Sequence, residues 1–343
     1  MKKWIGYERG INFGGWFSQC DHTVERYEKF IVKKDFETVA KWGLDHIRIP
    51  VDYELVESED GNYKEDGFAY IQRAIDWCGE YGLNMILDLH KTAGYSFDVG
   101  EKEEGFFEKE EYQERFYRLW EEFAKRFGKY KNRLAFELLN EVTDKEVCET
   151  WNRIADNCIQ RIRQIVPDIY ILVGGYWNNS VAAVKDLALP QDEHIVYNFH
   201  CYDPLIFTHQ GAPWVEGMPV DFRFRIAQSY QSYYEKLKEI LPNQAITFPK
   251  MKNMEEDFGK EFFDIIFAEA VQVAEERNVT LYCGEYGVID RAEPEDALKW
   301  YQKIHASFET YGIGRAAWSY REMDYGFVDE HFSSVLQEVL KCL

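Results

Sequence analysis

NMILDLH (84–90) and LAFELLN (134–140) are short apolar runs of strand length, and YQERFYRLWEEFAKRFG (112–128) lies between them. In that middle stretch Phe116, Leu119, Trp120, Phe123 and Phe127 recur at spacings of three and four, which puts them on one face of a helix. The same strand–helix alternation runs outward in both directions. Further strand-like runs occupy 9–13, 46–51, 170–174, 195–200, 281–285 and 315–318, and helical patterns fit 69–82, 147–165, 259–277 and 294–311. Eight strands, each followed by a helix or a long connection, predict an α/β fold of the (β/α)8 barrel type. An open doubly wound sheet would carry a G-x-G-x-x-G turn after its first strand, and INFGGW (11–16) lacks that spacing.

The chain of 343 residues is read as one catalytic barrel spanning 1–343. The interval from the sixth strand to the seventh is too long for a simple barrel unit. It predicts an insertion over 203–257, with its own helical pattern near 223–240, forming a small helical subdomain. Connections after strands emerge at the C-terminal face of a barrel, so the insertion is expected beside the cleft. A formal charge of −21 argues against nucleic-acid and anionic membrane partners. Aromatic residues reach 17%, enough to supply both a large core and stacking surfaces for sugar rings. The seven cysteines have no C-x-x-C spacing and are read as buried small hydrophobes; no metal site and no cofactor are expected. The opening MKKWIGYERGINFGG holds no apolar stretch of signal-peptide length, which leaves localisation open between cytoplasm and secretion with a signal removed.

Function in such a barrel sits at the C-terminal ends of the strands. Here those ends carry Arg48, Asp88 and His90, Asn140 and Glu141, His200 and Tyr202, Glu285, and Trp318. One terminal Glu or His alone is usually a solvated or packed side chain. Six polar or aromatic termini converging on one mouth are harder to explain as stability features. Glu141 and Glu285 would face each other across the opening, and cleavage of a glycosidic bond needs one protonated carboxyl and one ionised carboxylate on either side of the anomeric carbon. Glu137 is read as a buried structural carboxylate without an identified partner, and Asp88 as a support beneath His90.

The ordered set GINFGGW, HIRIP, ILDLH, FELLNE, NFHCYDP, YCGEYG and AAWSY resembles glycoside hydrolase family 5, over about residues 9–320. The 203–257 insertion resembles that of a bacterial endoglucanase C subgroup. The resemblance implies that Glu141 is the acid/base and Glu285 the nucleophile. It implies further that Arg48 holds the nucleophile ionised, that Asn140 meets the sugar 2-hydroxyl, that His90, His200 and Tyr202 orient both glutamates and the sugar, and that Trp318 is an aromatic floor. Val142 stands where many members have proline, and Lys91 where many have a second histidine. Trp16, Trp177 and Trp214 are candidate stacking platforms, with a packed core or lid tryptophan as the competing reading.

The expected activity is a retaining endo-β-glucanase cleaving β-1,4-glucosidic bonds in soluble glucans, cellulose-type and mixed-linkage β-1,3-1,4. Mannan, xyloglucan and β-1,3-glucan specificities occur in the same family. A catalytically inactive glycan-binding barrel and a metal-dependent hydrolase using His90 and His200 are the rivals from other classes. The chain is read as a monomer whose partner is its glucan substrate.

Overall fold

The computed structural model of the protein describes residues 2–98, 100–101 and 103–343. Eight parallel strands close into a barrel in sequence order: β1 Arg9–Asn12, β2 His46–Asp52, β3 Asn84–Lys91, β4 Leu134–Glu137, β5 Ile171–Val173, β6 Ile195–Cys201, β7 Thr280–Tyr286 and β8 Gly314–Ala317. The predicted fold is the observed one. Helices Glu65–Glu80, Glu110–Phe127, Cys148–Ile165, Lys260–Glu276 and Pro294–Tyr311 lie within a few residues of the predicted patterns. The step after β5 departs from the simple plan, because a four-residue turn, Tyr176–Asn179, and a short 3₁₀ stretch, Val181–Asp186, stand where a barrel helix would be.

The barrel interior is layered, because side chains alternate along each strand and every second residue points inward. The lowest layer is mostly apolar: Ile86, Ala135, Leu172, Val196, Tyr282 and Ala316 pack with Trp4 and Tyr7, whose rings stack at 4.0 Å, and the one buried imidazole there, His46, meets the Tyr282 hydroxyl. Two residues further along, the inward positions become polar, with Asp88 on β3, Glu137 on β4 and Asn198 on β6. Two further again on β3 and β6 stand His90 and His200. Polarity thus rises toward the C-terminal mouth, and the fold presents its chemistry there. Arg9 and Arg315 donate to carbonyls of Leu340 and Leu343, which ties the C-terminal segment across the junction of β1 and β8.

The segment 203–257 holds short helices at Leu205–Thr208, Tyr230–Ile240 and Pro242–Thr247. The predicted helix at 223–240 begins instead at Tyr230. Its start is set by Ser229, whose Oγ accepts from Ser232 N, while the residues before it are held otherwise: Phe224 N donates to Gln210 Oε1 and Arg225 pairs with Asp296. All seven cysteines are free thiols. Among the described residues no helix is long and apolar enough to cross a membrane.

Candidate active site

The site rests on one buried guanidinium. Arg48, fully buried on β2, donates from Nε and Nη2 to the two oxygens of Glu137 at 2.7 and 2.9 Å. Its Nη1 donates to Asn12 Oδ1 at 2.9 Å and to Glu285 Oε1 at 2.7 Å. Its Nη2 also reaches Asn140 Oδ1 at 2.9 Å and lies 3.0 Å from Asp88 Oδ2. Arginine suits this place because its planar fork of five N–H donors can serve several acceptors without losing its charge. Glu137, which lacked a partner in the sequence reading, therefore has one 89 residues away. Asn198 donates to Glu137 Oε1 at 2.8 Å and accepts from Gly284 N at 2.9 Å.

Glu285 reaches this layer through a register shift. Asn198 pairs with Tyr282 and Phe199 with Cys283, but His200 pairs with Glu285, so the ladder skips Gly284. The skip turns Glu285 to the same side as Tyr282, which simple alternation would forbid. Glycine is required at 284, since a Cβ there would lie 2.7 Å from Asn198 Oδ1 and 3.0 Å from His200 Nε2. The second oxygen of Glu285 accepts from the Tyr202 hydroxyl at 2.9 Å.

Glu141 is held differently. His200 Nδ1 lies 2.7 Å from its Oε1, and Asn178 Nδ2 donates to its Oε2 at 2.9 Å. Burial raises its carboxyl above the usual range, against the Asn178 hydrogen bond and the positive charges of His90 and Arg48. His200 stands between the two glutamates, with Nδ1 3.7 Å from Glu285 Oε2. Burial pulls this imidazole down to about 4 despite Glu285, so the ring is neutral near pH 7. Asn179 Nδ2 lies 3.4 Å from its Nε2; an amide NH₂ can only donate, so Nε2 accepts and Nδ1 carries the hydrogen given to Glu141. One oxygen of Glu141, one ring nitrogen of His200 and one oxygen of Glu285 all lie within 4.8 Å of one another.

His90 donates from Nδ1 to Asp88 Oδ2 at 2.6 Å. Burial works against its charge, yet the carboxylates of Asp88 and Glu285 outweigh it and raise the ring to about 9. Trp318 lies parallel to His90, 3° between planes and 5.9 Å between centroids. Gly14 makes room for that indole: a Cβ at 14 would sit 2.6 Å from Trp318 Cη2. Among the described residues His90 Nε2 and Asn140 Nδ2 are buried without a hydrogen-bond partner, the condition of groups that wait for a ligand's hydroxyls.

The eight residues Arg48, His90, Asn140, Glu141, His200, Tyr202, Glu285 and Trp318 thus come together at one mouth. Trp16 does not join them. Its indole is 0% exposed, stacked on Phe17 at 3.8 Å, with Nε1 donating to Tyr27 O, so no face is free for a sugar and the platform reading is corrected to core packing. Trp214 is 44% exposed, with the His209 ring edge-on to it and Arg291 over it at 5.8 Å; Trp177 is 48% exposed. Lys91 is engaged by Glu54 at 2.5 Å and Glu101 at 2.9 Å. Sequence reasoning missed Asn12 as an acceptor for Arg48, Asn198, the pair Asn178 and Asn179, and Tyr95, whose hydroxyl donates to the Glu141 carbonyl at 2.7 Å. All are single polar residues in loops or at strand positions, and only a parity count along β6 would have singled out Asn198.

Two groups of described residues have the donor chemistry to hold a metal: Glu141, His200 and Glu285, and the triad His22, Asp52 and Glu54. In the first, Glu285 already has a cationic partner, Arg48 at its Oε1. In the second, Lys91 contacts Glu54 and His22 contacts Asp52 at 3.3 Å, so both carboxylates have cationic partners.

The family model described as cellulase (glycosyl hydrolase family 5) matches residues 8–324. Cellodextrinase A of Ruminococcus flavefaciens is 45% identical over 92% of this chain and 86% of its own length. Endoglucanase C of Acetivibrio thermocellus is 38% identical over 99% of this chain and 98% of its own. The solved structure of endoglucanase Cel5A from Thermotoga maritima superposes with a TM-score of 0.76 over 98% of this chain and 97% of that one, at 22% identity. A closed barrel, two glutamates facing a shared histidine, and a family match over nearly the whole length agree: the chain belongs to glycosyl hydrolase family 5 and is a cellulase-type glycoside hydrolase.

Proposed function

We propose that the protein is a retaining endo-β-glucanase that cleaves β-1,4-glucosidic bonds in soluble glucans, of cellulose type and mixed β-1,3-1,4 linkage. The carrying observation is the approach of the two carboxylates, with oxygens within 4.8 Å. Retaining glycosidases hold their carboxyls about 5–5.5 Å apart, whereas inverting ones leave about 6.5–9.5 Å for a water. The glucan substrate is supported by the names of the cellodextrinase and endoglucanase relatives.

In this reading Glu285 attacks the anomeric carbon while Glu141, whose burial favours its protonated form, gives its proton to the departing glycosidic oxygen. A covalent glycosyl-enzyme forms and the C–O bond to the leaving sugar breaks. Glu141, now a carboxylate, then takes a proton from water, whose oxygen displaces Glu285 and restores the original configuration. Arg48 and Tyr202 fix the Glu285 carboxylate, and neutral His200 orients Glu141 without competing for its proton. The unpartnered donors His90 Nε2 and Asn140 Nδ2 meet sugar hydroxyls over the Trp318 ring. Trp214 is assigned an outer stacking contact.

Proton NMR of early hydrolysis tests the mechanism: the β-anomer must appear first, and initial α-product would sink it. Glu285→Gln should abolish turnover on every substrate. Glu141→Ala should spare the first step on activated aryl glycosides and respond to azide; equal loss on both substrate types without azide rescue would contradict the assigned roles. Parallel assays on cello-oligomers, mixed-linkage oligomers, mannan and xyloglucan test the specificity.

A further inference from the structure

We infer that Asn178 is a positioning residue for the acid/base Glu141, carried on a left-handed turn that is held in place for this purpose. The inference rests on the reading of Glu141 given above and adds to it a residue from the fifth strand's loop. Trp177, Asn178 and Asn179 have φ of 51°, 57° and 55°, three consecutive non-glycine residues in the left-handed region. Asparagine tolerates that region better than most residues, but a tryptophan does not, and such strain persists only where surrounding structure overrides it.

The override is visible. Trp177 N donates to Thr143 O at 3.3 Å and Asn178 N to Val142 O at 3.0 Å, so the turn is bonded to the segment directly after Glu141. That segment is fixed from its other side by Tyr95, whose hydroxyl donates to Glu141 O and accepts from Thr143 N at 3.0 Å. From this clamp the turn aims two amides at the acid/base. Asn178 Nδ2 reaches Glu141 Oε2, and Asn179 Nδ2 reaches the His200 ring that serves Oε1.

With Oε1 taken by the His200 Nδ1 hydrogen, Oε2 is the oxygen left to give and take the catalytic proton, and Asn178 is the only side chain bonded to it among the described residues. The other charged or titratable groups facing Glu141 are Arg48 from β2, His90 from β3, Tyr95 beyond β3, His200 and Tyr202 from β6 and Glu285 from β7. None of them makes a hydrogen bond to Oε2. Asn178 therefore sets both the direction of that oxygen and the ease with which it loses its proton. A donor to the carboxylate favours the charged form, so removing it must raise the Glu141 pKa.

The test uses Asn178→Gly and Asn178→Asp, since both residues accept a left-handed backbone and separate the side chain's chemistry from the turn's conformation. In Asn178→Gly the alkaline limb of kcat/KM on a cello-oligosaccharide should move up by about one pH unit, the scale of one charge-assisted hydrogen bond. The plateau should fall about tenfold, while an activated aryl glycoside, which needs no proton for departure, loses far less. Asn178→Asp places a second carboxylate against Glu141 and should move the limb further up. Limbs that superpose on the parent's, with or without a lower melting temperature, would overturn the positioning role. Glu141→Ala run alongside separates the two claims: if it keeps its activity on the unactivated oligosaccharide, the acid/base reading itself fails; if it loses that activity while the Asn178 limbs stay put, only Asn178 is wrong.

Discussion

Replacing Arg48 by methionine keeps much of the side chain's volume and removes the cation that three buried carboxylates share. Asp88 and Glu137 are fully buried and the Glu285 side chain is 6% exposed, so none can fall back on water. Breaking a buried ion pair by deleting one partner costs about 3–5 kcal/mol, because the remaining charge stays desolvated. His90 still faces Asp88, which leaves Glu137 and Glu285 as the two uncompensated groups. Each relieves its cost by taking up a proton as the chain folds, so both have raised pKa values in the folded variant. A carboxylate with a raised folded pKa stabilises the fold while protonated and loses that contribution as pH rises. At about 1.4 kcal/mol per proton per pH unit, two such groups make the destabilisation grow by up to about 2.8 kcal/mol per unit through their titration range. Urea unfolding of parent and Arg48→Met from pH 4.5 to 7.5 reads this directly. The variant should lose stability with rising pH more steeply than the parent, so that the gap between them widens, and its turnover should be abolished. A pH-independent difference, or one below about 1 kcal/mol at neutral pH, would refute the idea that this guanidinium holds the layer together.

Trp16→Ala should cost about 3–5 kcal/mol in unfolding free energy and leave the KM of the folded fraction unchanged, as expected for a fully buried indole. Trp214→Ala should do the reverse, raising KM on long glucans with little change in kcat or melting temperature; an unchanged KM with a lower melting temperature would assign it to packing instead. His90 holds its proton up to about 9 in the fold against 6.5 ordinarily, so its pairing with Asp88 contributes fully below pH 6.5 and is lost as pH rises through 9. The stability gap between parent and His90→Asn should close across that window, and a gap that persists at pH 10 would contradict the charged pair. Treatment with EDTA should leave hydrolysis unchanged, since Arg48 and Lys91 sit on the carboxylates of the two candidate metal groups; recovery of lost activity by added zinc or calcium would overturn this.

The barrel was legible because its signal is periodic. Eight apolar runs separated by one-faced helices leave few other folds, and the strand limits fell within a few residues. The departures have local causes. The fourth strand ends at Glu137 rather than at 140, because the chain leaves the ladder there: Leu138 N still bonds Leu172 O, but Asn140 N turns back to Leu89 O and carries Glu141 into the mouth. Trp16 was misjudged because a tryptophan's identity does not reveal which face is open, and its neighbour Phe17 was the cue that a stacked pair lay in the core. The partner of Glu137 was invisible because it lies 89 residues away, and a long-range pairing leaves no trace in a local pattern. Asn178 was invisible for another reason: a turn built from three left-handed residues has no period at all.

The two glutamates themselves illustrate how far a motif reaches. NE and GE marked both positions, yet nothing within either motif separates the roles proposed for them, acid for one side chain and nucleophile for the other. That difference comes from what surrounds each carboxyl, as it must when two groups of equal intrinsic strength do opposite jobs. Glu285 is swung by a skipped register onto a guanidinium and a phenol, partners that stabilise the negative charge its proposed role as nucleophile requires. Glu141 lies beyond the end of its strand between a neutral imidazole and an amide, and its burial favours the protonated form that its proposed role as acid requires. Exchanging the surroundings would exchange the roles, which is why Arg48 and Asn178, rather than the glutamates, are the informative positions to change.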